Sequence, residues 1–435
     1  MISATVVITG FVLMVALMFL GFHVATVMAA VAFLGATIYL GVPLVNAFGN
    51  QWYAAMEDSI LLAIPLYILL GELLVRGGAT DRMYNALAAW LNRLPGGLLH
   101  TNIGASALFS AVSGSSVATA ATIATVALPA FKTRKYDQRL VLGSIAAGAS
   151  LGNLIPPGIA FIIYGAMTNT SIGRLYAAGV VPGVLMTVIF MLTIVAIALA
   201  RPGLIGREET RITWMHRFRG LVDLGPPLFV FLIVMGSIYS GWATVTESAA
   251  LAVAAALPIA WRNGKLNVRM LHESFLATFH LTSMSIIILA AAFYLNFVLG
   301  LLGVTQALSN FIGALGVGQT LFLWCLAGFY LLLGIFFETL PMLVGTVPII
   351  FPLVVALGVD PVWFGVFMVL MCEISLISPP VGMTLYVIQG VRREGTIKEV
   401  FDGTLPFFLA MIVMTGLLIH FPDIALWLPR QSFDQ

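Results

Sequence analysis

Charge is scarce in this sequence: Asp, Glu, Lys and Arg make up 9% of the 435 residues, whereas 60% are hydrophobic. Cysteine is also scarce. Because Cys325 and Cys372 both lie in apolar stretches, we expect neither a disulfide framework nor a metal cluster. The six histidines lack the H-E-x-x-H spacing of zinc proteases, and no P-loop is present. The formal net charge of +2 gives no reason to expect a nucleic-acid partner.

Long apolar runs fill most of the chain, and each is close to the roughly 20 helical residues that a bilayer requires. They cover residues 2–21, 23–42, 59–75, 174–200, 225–240, 243–261, 281–302, 319–336 and 404–428. Barrel periodicity is absent, so helices must satisfy the backbone hydrogen bonds. The first run has no basic segment before it and no small-residue cleavage site, which predicts a spanning helix rather than a signal peptide. We therefore expect an all-α polytopic membrane protein.

The positions of Lys and Arg predict the orientation. They cluster at residues 76–93, 132–139, 201–219, 262–269 and 392–398, which the positive-inside rule assigns to the cytoplasm. The segments 303–318 and 358–361 contain neither residue and are expected on the opposite side. Counting spans between clusters then predicts a periplasmic N-terminus.

A duplication is visible when 223 is added to residue numbers in the first half. The landmarks that coincide are Pro129 with Pro352, Asp137 with Asp360, and Pro156 and Pro157 with Pro379 and Pro380. This divides the chain into repeats at about 1–220 and 221–435. Each repeat should contain an odd number of crossings, so the second copy is predicted to be inserted upside down. Inverted repeats with interrupted helices are typical of secondary transporters.

Each repeat is predicted to contain a re-entrant hairpin and a broken helix. The hairpins are expected at about 99–131 and 319–357, and the broken helices at about 139–170 and 361–392. Paired prolines donate no backbone hydrogen bond and obstruct the preceding turn, so each helix must stop there. Glycine and serine at a tip can be simple turn chemistry, but irregular backbone at bilayer depth persists only where it is buried or lines a cavity. Freed carbonyls suit sodium, and half-helix N-termini favour an anion.

Two long motifs resemble one family. The first is "FSAVSGSSVATAATIATVALPAFKTRKYDQRLVLGSIAAGASLGNLIPPGIAFIIYGAMTNTSIGRLYAAGVVPG", and the second is "GVDPVWFGVFMVLMCEISLISPPVGMTLYVIQGV". Both resemble the large membrane subunit of tripartite ATP-independent periplasmic (TRAP) transporters. The resemblance implies an inverted-repeat elevator fold of the ion transporter superfamily in the bacterial inner membrane, with two or more sodium ions as coupling ions and no organic cofactor. It also implies a separate small four-helix membrane subunit and a periplasmic substrate-binding protein that delivers a small organic acid.

The resemblance also implies site residues. The first sodium site would use Ser113, Gly114 and Ser115 with Gly152 and Asn153, and the second Glu338 and Thr339 with Ser375 and Ser378, partly through carbonyls. Substrate would lie between the two tips, against Ser115, Ser116, Asn153, Gly158, Glu338, Thr339 and Glu373. In the family's usual pattern the position of Asn153 often holds an aliphatic residue, and that of Ser375 a glycine.

Several alternatives stay open. Glu373 lies in an otherwise apolar helix, where an ionisable group is a functional candidate, but it could instead pair with a buried donor and hold the break. A stand-alone sodium- or proton-coupled organic anion symporter of the same superfamily would share these features. An intramembrane enzyme is a further alternative, although no His or Lys lies beside the serines of "SGSS". Residues 80–94 are predicted to form an amphipathic helix in the interface plane, with a counterpart at 303–317.

Overall fold

The computed structural model describes residues 4–41, 44–132, 134–206, 214–304, 306–307, 310, 316 and 318–433. Within these ranges the regular structure is α-helical, with one 3-10 turn at Pro202–Leu204 and no strand. The expectation of an all-α chain is therefore confirmed for the described residues. Most of the predicted counterpart helix at 303–317 lies outside them.

The helices of the first half are α1 Ala4–Phe19, α2 Val24–Leu40, α3 Val45–Glu57, α4 Ala63–Arg76, α5 Ala79–Leu91, α6 Leu98–Ser113, α7 Ser116–Lys132, α8 Gln138–Ala149, α9 Ile159–Thr168 and α10 Ile172–Ala200. Those of the second half are α11 Trp214–Tyr239, α12 Val245–Arg262, α13 Val268–Leu301, α14 Gln319–Gly334, α15 Thr339–Ala356, α16 Pro361–Leu376, α17 Met383–Arg392, α18 Ile397–His420 and α19 Asp423–Phe433.

Five described helices are long and apolar enough to cross a membrane: α10, the part of α11 at Gly220–Tyr239, α13, α15 and α18. A sixth would arise if α4 and α5 formed one span, but the chain bends by 70° between them. The outer face of α10 is apolar, with Val184, Val188 and Leu192 exposed. Large apolar side chains on an outer face are typical of contact with lipid.

One apolar run does not form a single helix. The sequence presents residues 404–428 as one stretch long enough for a bilayer, but α18 ends at His420 and α19 begins at Asp423. Pro422 lies between the two helices. Proline donates no backbone hydrogen bond and restricts the residue before it, so the helix ends at this point.

Four features of the fold recur below. The first hairpin is α6 and α7, joined at the first tip, residues 113–116; the second hairpin is α14 and α15, joined at the second tip, residues 335–339. The first break, residues 150–158, separates α8 from α9, and the second break, residues 377–382, separates α16 from α17. The Pro156–Pro157 and Pro379–Pro380 peptide bonds in these breaks are both cis.

The two broken helices begin in the same way. Asp137 accepts hydrogen bonds from the backbone N–H groups of Arg139 and Leu140 at the start of α8. Asp360 accepts them from Val362 and Trp363 at the start of α16. An aspartate in this position satisfies amide groups that the first helical turn leaves unpaired. The two caps lie 223 residues apart in sequence.

Packing between the halves follows the same offset. The α8 helix packs against α18, and its counterpart α16 packs against α10. The hairpin helix α7 packs against α17, while its counterpart α15 packs against α9. At the crossing of α8 and α18, a Cβ atom on Gly143 would lie 1.9 Å from the carbonyl oxygen of Gly403. Glycine is therefore required for these two backbones to approach so closely.

Candidate functional site

A cavity of about 320 Å³ lies where the two tips meet the first break. The predicted site residues that line it are Ser113, Gly114, Ser115, Ser116, Asn153, Glu338 and Thr339. The predicted residues Gly152, Gly158, Glu373, Ser375 and Ser378 are outside its lining. Gly114 of the first tip and Glu338 of the second tip, which are 224 positions apart in sequence, thus line the same cavity. No Lys or Arg is among the described residues that line it.

The first tip rests directly on the first break. Gly114 has a φ of +59°, and a Cβ atom there would lie 2.3 Å from the carbonyl oxygen of Pro157. Its own carbonyl accepts a hydrogen bond from the N–H of Ile159 at 3.3 Å. A Cβ atom on Gly152 would lie 2.4 Å from Cα of Ser116. Gly114 is needed both for its positive φ and for the close approach to Pro157, and Gly152 is needed for the close approach to Ser116.

Hydrogen bonds within the chain fix the hydroxyl groups of the first tip. Ser113 Oγ and Thr119 Oγ1 lie 3.2 Å apart, and Thr119 Oγ1 donates to the carbonyl of Ser115 at 2.8 Å. Ser115 Oγ accepts from the N–H of Ala118 at 3.4 Å. These contacts hold the turn between α6 and α7 in one shape.

Glu373 links the first tip and the first break to the second broken helix. Ser116 Oγ donates to its Oε2 at 2.7 Å, and Asn153 Nδ2 donates to its Oε1 at 2.7 Å. Asn153 Nδ2 also donates to Ser116 Oγ at 3.1 Å. Glu373 is fully buried, and it makes no ion pair among the described residues. Glu373 is thus bonded to buried donors and is not among the residues that line the cavity.

The second tip is less completely bonded. Glu338 lies at the N-cap position of α15, but its side chain caps no backbone amide. Its carboxylate has no ion-pair partner within the part of the chain that the structure describes. The hydroxyl of Thr339 is buried without a hydrogen-bond partner, which is costly for a polar group. Glu338 and Thr339 both line the cavity, and among the described residues neither side chain has a hydrogen-bond or ion-pair partner.

The predicted residues Ser375, Ser378 and Gly158 make contacts within their own segments. Ser375 Oγ donates to the carbonyl of Cys372 at 2.6 Å, and Ser378 Oγ donates to that of Ile374 at 3.0 Å. Both hydroxyls are thus bonded to their own helix. A Cβ atom on Gly158 would lie 2.1 Å from the carbonyl oxygen of Asn153, so this glycine allows tight packing of the break.

Six helix ends converge on the cavity. The N-terminal residues Ser116 of α7, Ile159 of α9, Thr339 of α15 and Met383 of α17 line it, together with the C-terminal residues Ser113 of α6 and Leu376 of α16. Helix N-termini carry partial positive charge and unpaired amide groups, and C-termini carry partial negative charge. The cavity can therefore hold an anion and a cation close together.

Some residues that line the cavity were not predicted from the sequence. Gly71 and Glu72 of α4, and Leu281, Met284 and Ser285 of α13, line the side opposite the breaks. Glu72 is paired with Arg76 at 2.9 Å, and Arg76 also contacts Glu273 at 2.7 Å. The offset of 223 predicts that residues 59–76 correspond to 282–299, but no local signal in the sequence predicts that α4 and α13 line a site.

The chain is similar to known transporter subunits over almost its whole length. Residues 11–424 match the family model described as tripartite ATP-independent periplasmic transporter, DctM component. The C4-dicarboxylate TRAP transporter large permease protein DctM of Pseudomonas aeruginosa is 32% identical, covering 89% of this chain and 90% of that protein. The sialic acid TRAP transporter large permease protein SiaM of Vibrio cholerae is 30% identical, covering 95% and 96%.

Two further comparisons extend this similarity. The ectoine/5-hydroxyectoine TRAP transporter large permease protein UehC of Ruegeria pomeroyi is 29% identical over 98% of this chain and 99% of that protein. The crystal structure of the YdaH transporter of Alcanivorax borkumensis superimposes with a TM-score of 0.62, covering 90% of this chain and 89% of that chain. Since the identity to YdaH is 16%, that likeness concerns the fold alone.

Proposed function

Because this chain belongs to the DctM component family of tripartite ATP-independent periplasmic transporters, we propose that it imports a small organic acid by coupling to sodium. It is the large permease subunit of a TRAP transporter and a multi-pass membrane protein, not an enzyme. The family implies a small membrane subunit and a periplasmic binding protein as partners. In our proposal the binding protein delivers the acid, the small subunit has four helices, and the complex lies in the bacterial inner membrane with the N-terminus of this chain in the periplasm.

The cavity between the tips is the proposed substrate site. Four helix N-termini face it, which supports binding of an anionic group. Relatives of similar sequence are named for C4-dicarboxylates, sialic acid and ectoine, so the family alone does not fix the acid. We propose that Ser115, Ser116 and Thr339 contact the substrate, and that Asn153 shapes the pocket from the first break.

The absence of a cationic side chain from the described lining carries the sodium proposal. An organic anion beside Glu338 would meet a second negative charge, and a cation between the two would remove this repulsion. Glu338 and the unpartnered hydroxyl of Thr339 fit an ion with oxygen ligands. A second sodium ion would bind at the first tip, with Ser113, Gly114 and Ser115 together with Gly152 and Asn153 as its proposed ligands, partly through carbonyls.

We further propose that transport uses an elevator motion. In this account both hairpins are re-entrant, the chain is an inverted repeat, and the hairpins move with the broken helices as one body. The crosswise packing of α7 on α17 and of α15 on α9 supports this unit, because each hairpin is attached to the broken helix of the other half. Each positive charge moved inward gains about 2.3 kcal/mol per 100 mV of membrane potential.

Transport assays on the reconstituted complex test the proposal. The chain and the small subunit are placed in proteoliposomes, and the binding protein is added with labelled dicarboxylates or sialic acid. We expect uptake under an inward sodium gradient and loss of uptake when potassium replaces sodium. Uptake that persists without the gradient would contradict sodium coupling. Uptake that is unchanged without the binding protein and the small subunit would favour the stand-alone symporter instead.

A further inference from the structure

A second pocket lies far from the tips, between α5, α11 and α12. Arg82, Asp223 and Arg262 line it together with the apolar side chains of Val222, Phe229 and Ile259. Both arginines are exposed, and neither makes an ion pair among the described residues. The pocket therefore combines two available cations and one acid with an apolar wall. The transport proposal above makes no use of it.

Exposed tryptophans place this pocket at the level of the lipid headgroups. Trp242 precedes α12 and Trp261 is its penultimate residue, and they are 86% and 73% exposed. Tryptophan is enriched at the two membrane interfaces, and the pocket residues Val222 and Asp223 lie at the start of the apolar span Gly220–Tyr239 of α11. Arg262 directly follows Trp261. The arginine is thus at an interface, while Phe229 lies further along α11.

The N-terminus of α5 adds to the positive potential. The N-cap residue of α5 is Gly78, so no side chain satisfies the first amide groups of this helix, and Ala79 lines the pocket. Lys265 lies over the same end, with its Cγ atom 3.5 Å from the position that a Cβ on Gly78 would take. Unpaired amide groups at a helix N-terminus bind phosphate groups well.

We propose that this pocket binds the phosphate group of phosphatidylglycerol, with an acyl chain along Val222 and Phe229. Among the lining side chains, two arginines and one aspartate leave a net charge of +1, which one phosphodiester neutralises. The ethanolamine headgroup carries its own ammonium group, so phosphatidylethanolamine would leave the positive charge uncompensated. Basic pockets on the cytoplasmic side of membrane proteins commonly bind anionic headgroups, and residues 76–93 and 262–269 belong to the basic clusters of this chain.

A bound lipid would hold α5 in place against its neighbouring helices. This helix packs against α11 and also against α6, whose last residue forms the first tip. A headgroup held by Arg82 and Arg262 would bridge α5 and α12. The lipid would thus hold the bend between α4 and α5 against the neighbouring helices.

Competitive lipid retention tests this inference independently of transport. The purified protein is equilibrated with micelles that contain equal amounts of phosphatidylglycerol and phosphatidylethanolamine, and bound lipids are counted by native mass spectrometry. We expect the wild type to retain more phosphatidylglycerol, and Arg82→Gln/Arg262→Gln to lose it by about tenfold. The control Arg393→Gln/Lys398→Gln removes two exposed cations elsewhere that have no ion-pair partner among the described residues, and it should retain the wild-type ratio.

Three outcomes would overturn the inference. The first is equal retention by the pocket variant and the control. The second is a preference for phosphatidylethanolamine, which would indicate an ammonium group at Asp223. The third is displacement of the lipid by inorganic phosphate at an equal concentration, which would make a free anion the ligand. If the arginine variant does not fold, Asp223→Asn replaces it: removing the acid should increase phosphatidylglycerol retention, and a decrease would contradict the inference.

Discussion

At the first tip the hydroxyls of Ser113, Ser116 and Thr119 all have hydrogen-bond partners within the chain, whereas at the second tip the hydroxyl of Thr339 is buried without one. The first tip is also packed onto its break through Gly114, while Glu338 at the second tip stays half-buried and unpaired among the described residues. In a duplicated architecture these two places would be counterparts. The first tip is thus held mainly by hydrogen bonds within the chain, and in our proposal a bound ion supplies the missing partner at the second tip.

The largest effect should follow from removing the shared partner of the first tip and first break. Glu373→Ala leaves the buried hydroxyl of Ser116 without its acceptor and leaves Asn153 Nδ2 with Ser116 Oγ alone, which we expect to cost on the order of 3 kcal/mol. Thermal unfolding of the purified protein measures the loss. The control Glu394→Ala removes an exposed carboxylate 3.9 Å from Lys132 and should leave the midpoint nearly unchanged. Equal midpoints for the two variants would mean that the Glu373 contacts contribute nothing.

Strain at the first tip should give the next largest effect. Gly114→Ala places a Cβ atom 2.3 Å from the carbonyl oxygen of Pro157 at a positive φ, and we expect a loss on the order of 2 kcal/mol. The control is Gly236→Ala in α11, where a Cβ atom meets nothing within 4 Å. That variant should unfold at the wild-type temperature or slightly above it. If Gly114→Ala behaved in the same way, the close contact between tip and break would be wrong.

Neighbouring serines at the first tip should differ from each other. Ser116→Ala removes the donor to Glu373, and we expect it to reduce stability by about 1.5 kcal/mol. Ser115→Ala removes only an acceptor that lies 3.4 Å from the N–H of Ala118, so its cost should be several times smaller. Unfolding in denaturant compares the two. A larger loss for Ser115→Ala would contradict the assignment of Ser116 as the bonded hydroxyl.

The second tip should show the opposite behaviour, with little change in stability. Thr339→Val replaces an unpartnered hydroxyl by a methyl group of similar size, so the unfolding temperature should stay the same or rise. If this hydroxyl binds sodium, the sodium concentration for half-maximal transport should rise about fivefold, on the order of 1 kcal/mol. The control is Thr187→Val, which removes a hydroxyl that donates only to the carbonyl of Gly183 in its own helix. This variant should keep the wild-type sodium dependence. An unchanged sodium dependence in Thr339→Val would remove this residue from the site.

Local sequence signals were enough to predict the helix ends around the cavity. Helix pairs lie at 98–132 and 319–356, close to the bounds of about 99–131 and 319–357 that we expect for the hairpins, and that these pairs are re-entrant stays a prediction. The breaks fall at the Pro156–Pro157 and Pro379–Pro380 pairs, where two adjacent residues donate no backbone hydrogen bond. Since Pro226 and Pro227 lie inside α11, a Pro-Pro pair does not by itself decide where a helix ends. Asp137 and Asp360 cap the helices that follow them for an equally local reason.

Long-range contacts could not be predicted in the same way. Ser116 and Glu373 are 257 residues apart, and Asn153 and Glu373 are 220 apart, so no local pattern identifies them as partners. For the same reason the walls from α4 and α13 were missed. The apolar run 404–428 was wrongly predicted for the opposite reason. Its average hydrophobicity suggests one helix, although a local residue, Pro422, lies where the run divides into α18 and α19.

Sodium binding to the chain copurified with its small subunit is the most direct test of the account. Binding of radioactive sodium is measured for the wild type and for Glu338→Gln, which keeps the size of the side chain and removes its charge. We predict saturable binding to the wild type and clearly weaker binding to the variant, with both proteins unfolding at similar temperatures. Identical binding to the two proteins, or no saturable binding to the folded wild type, would contradict a sodium site at the second tip.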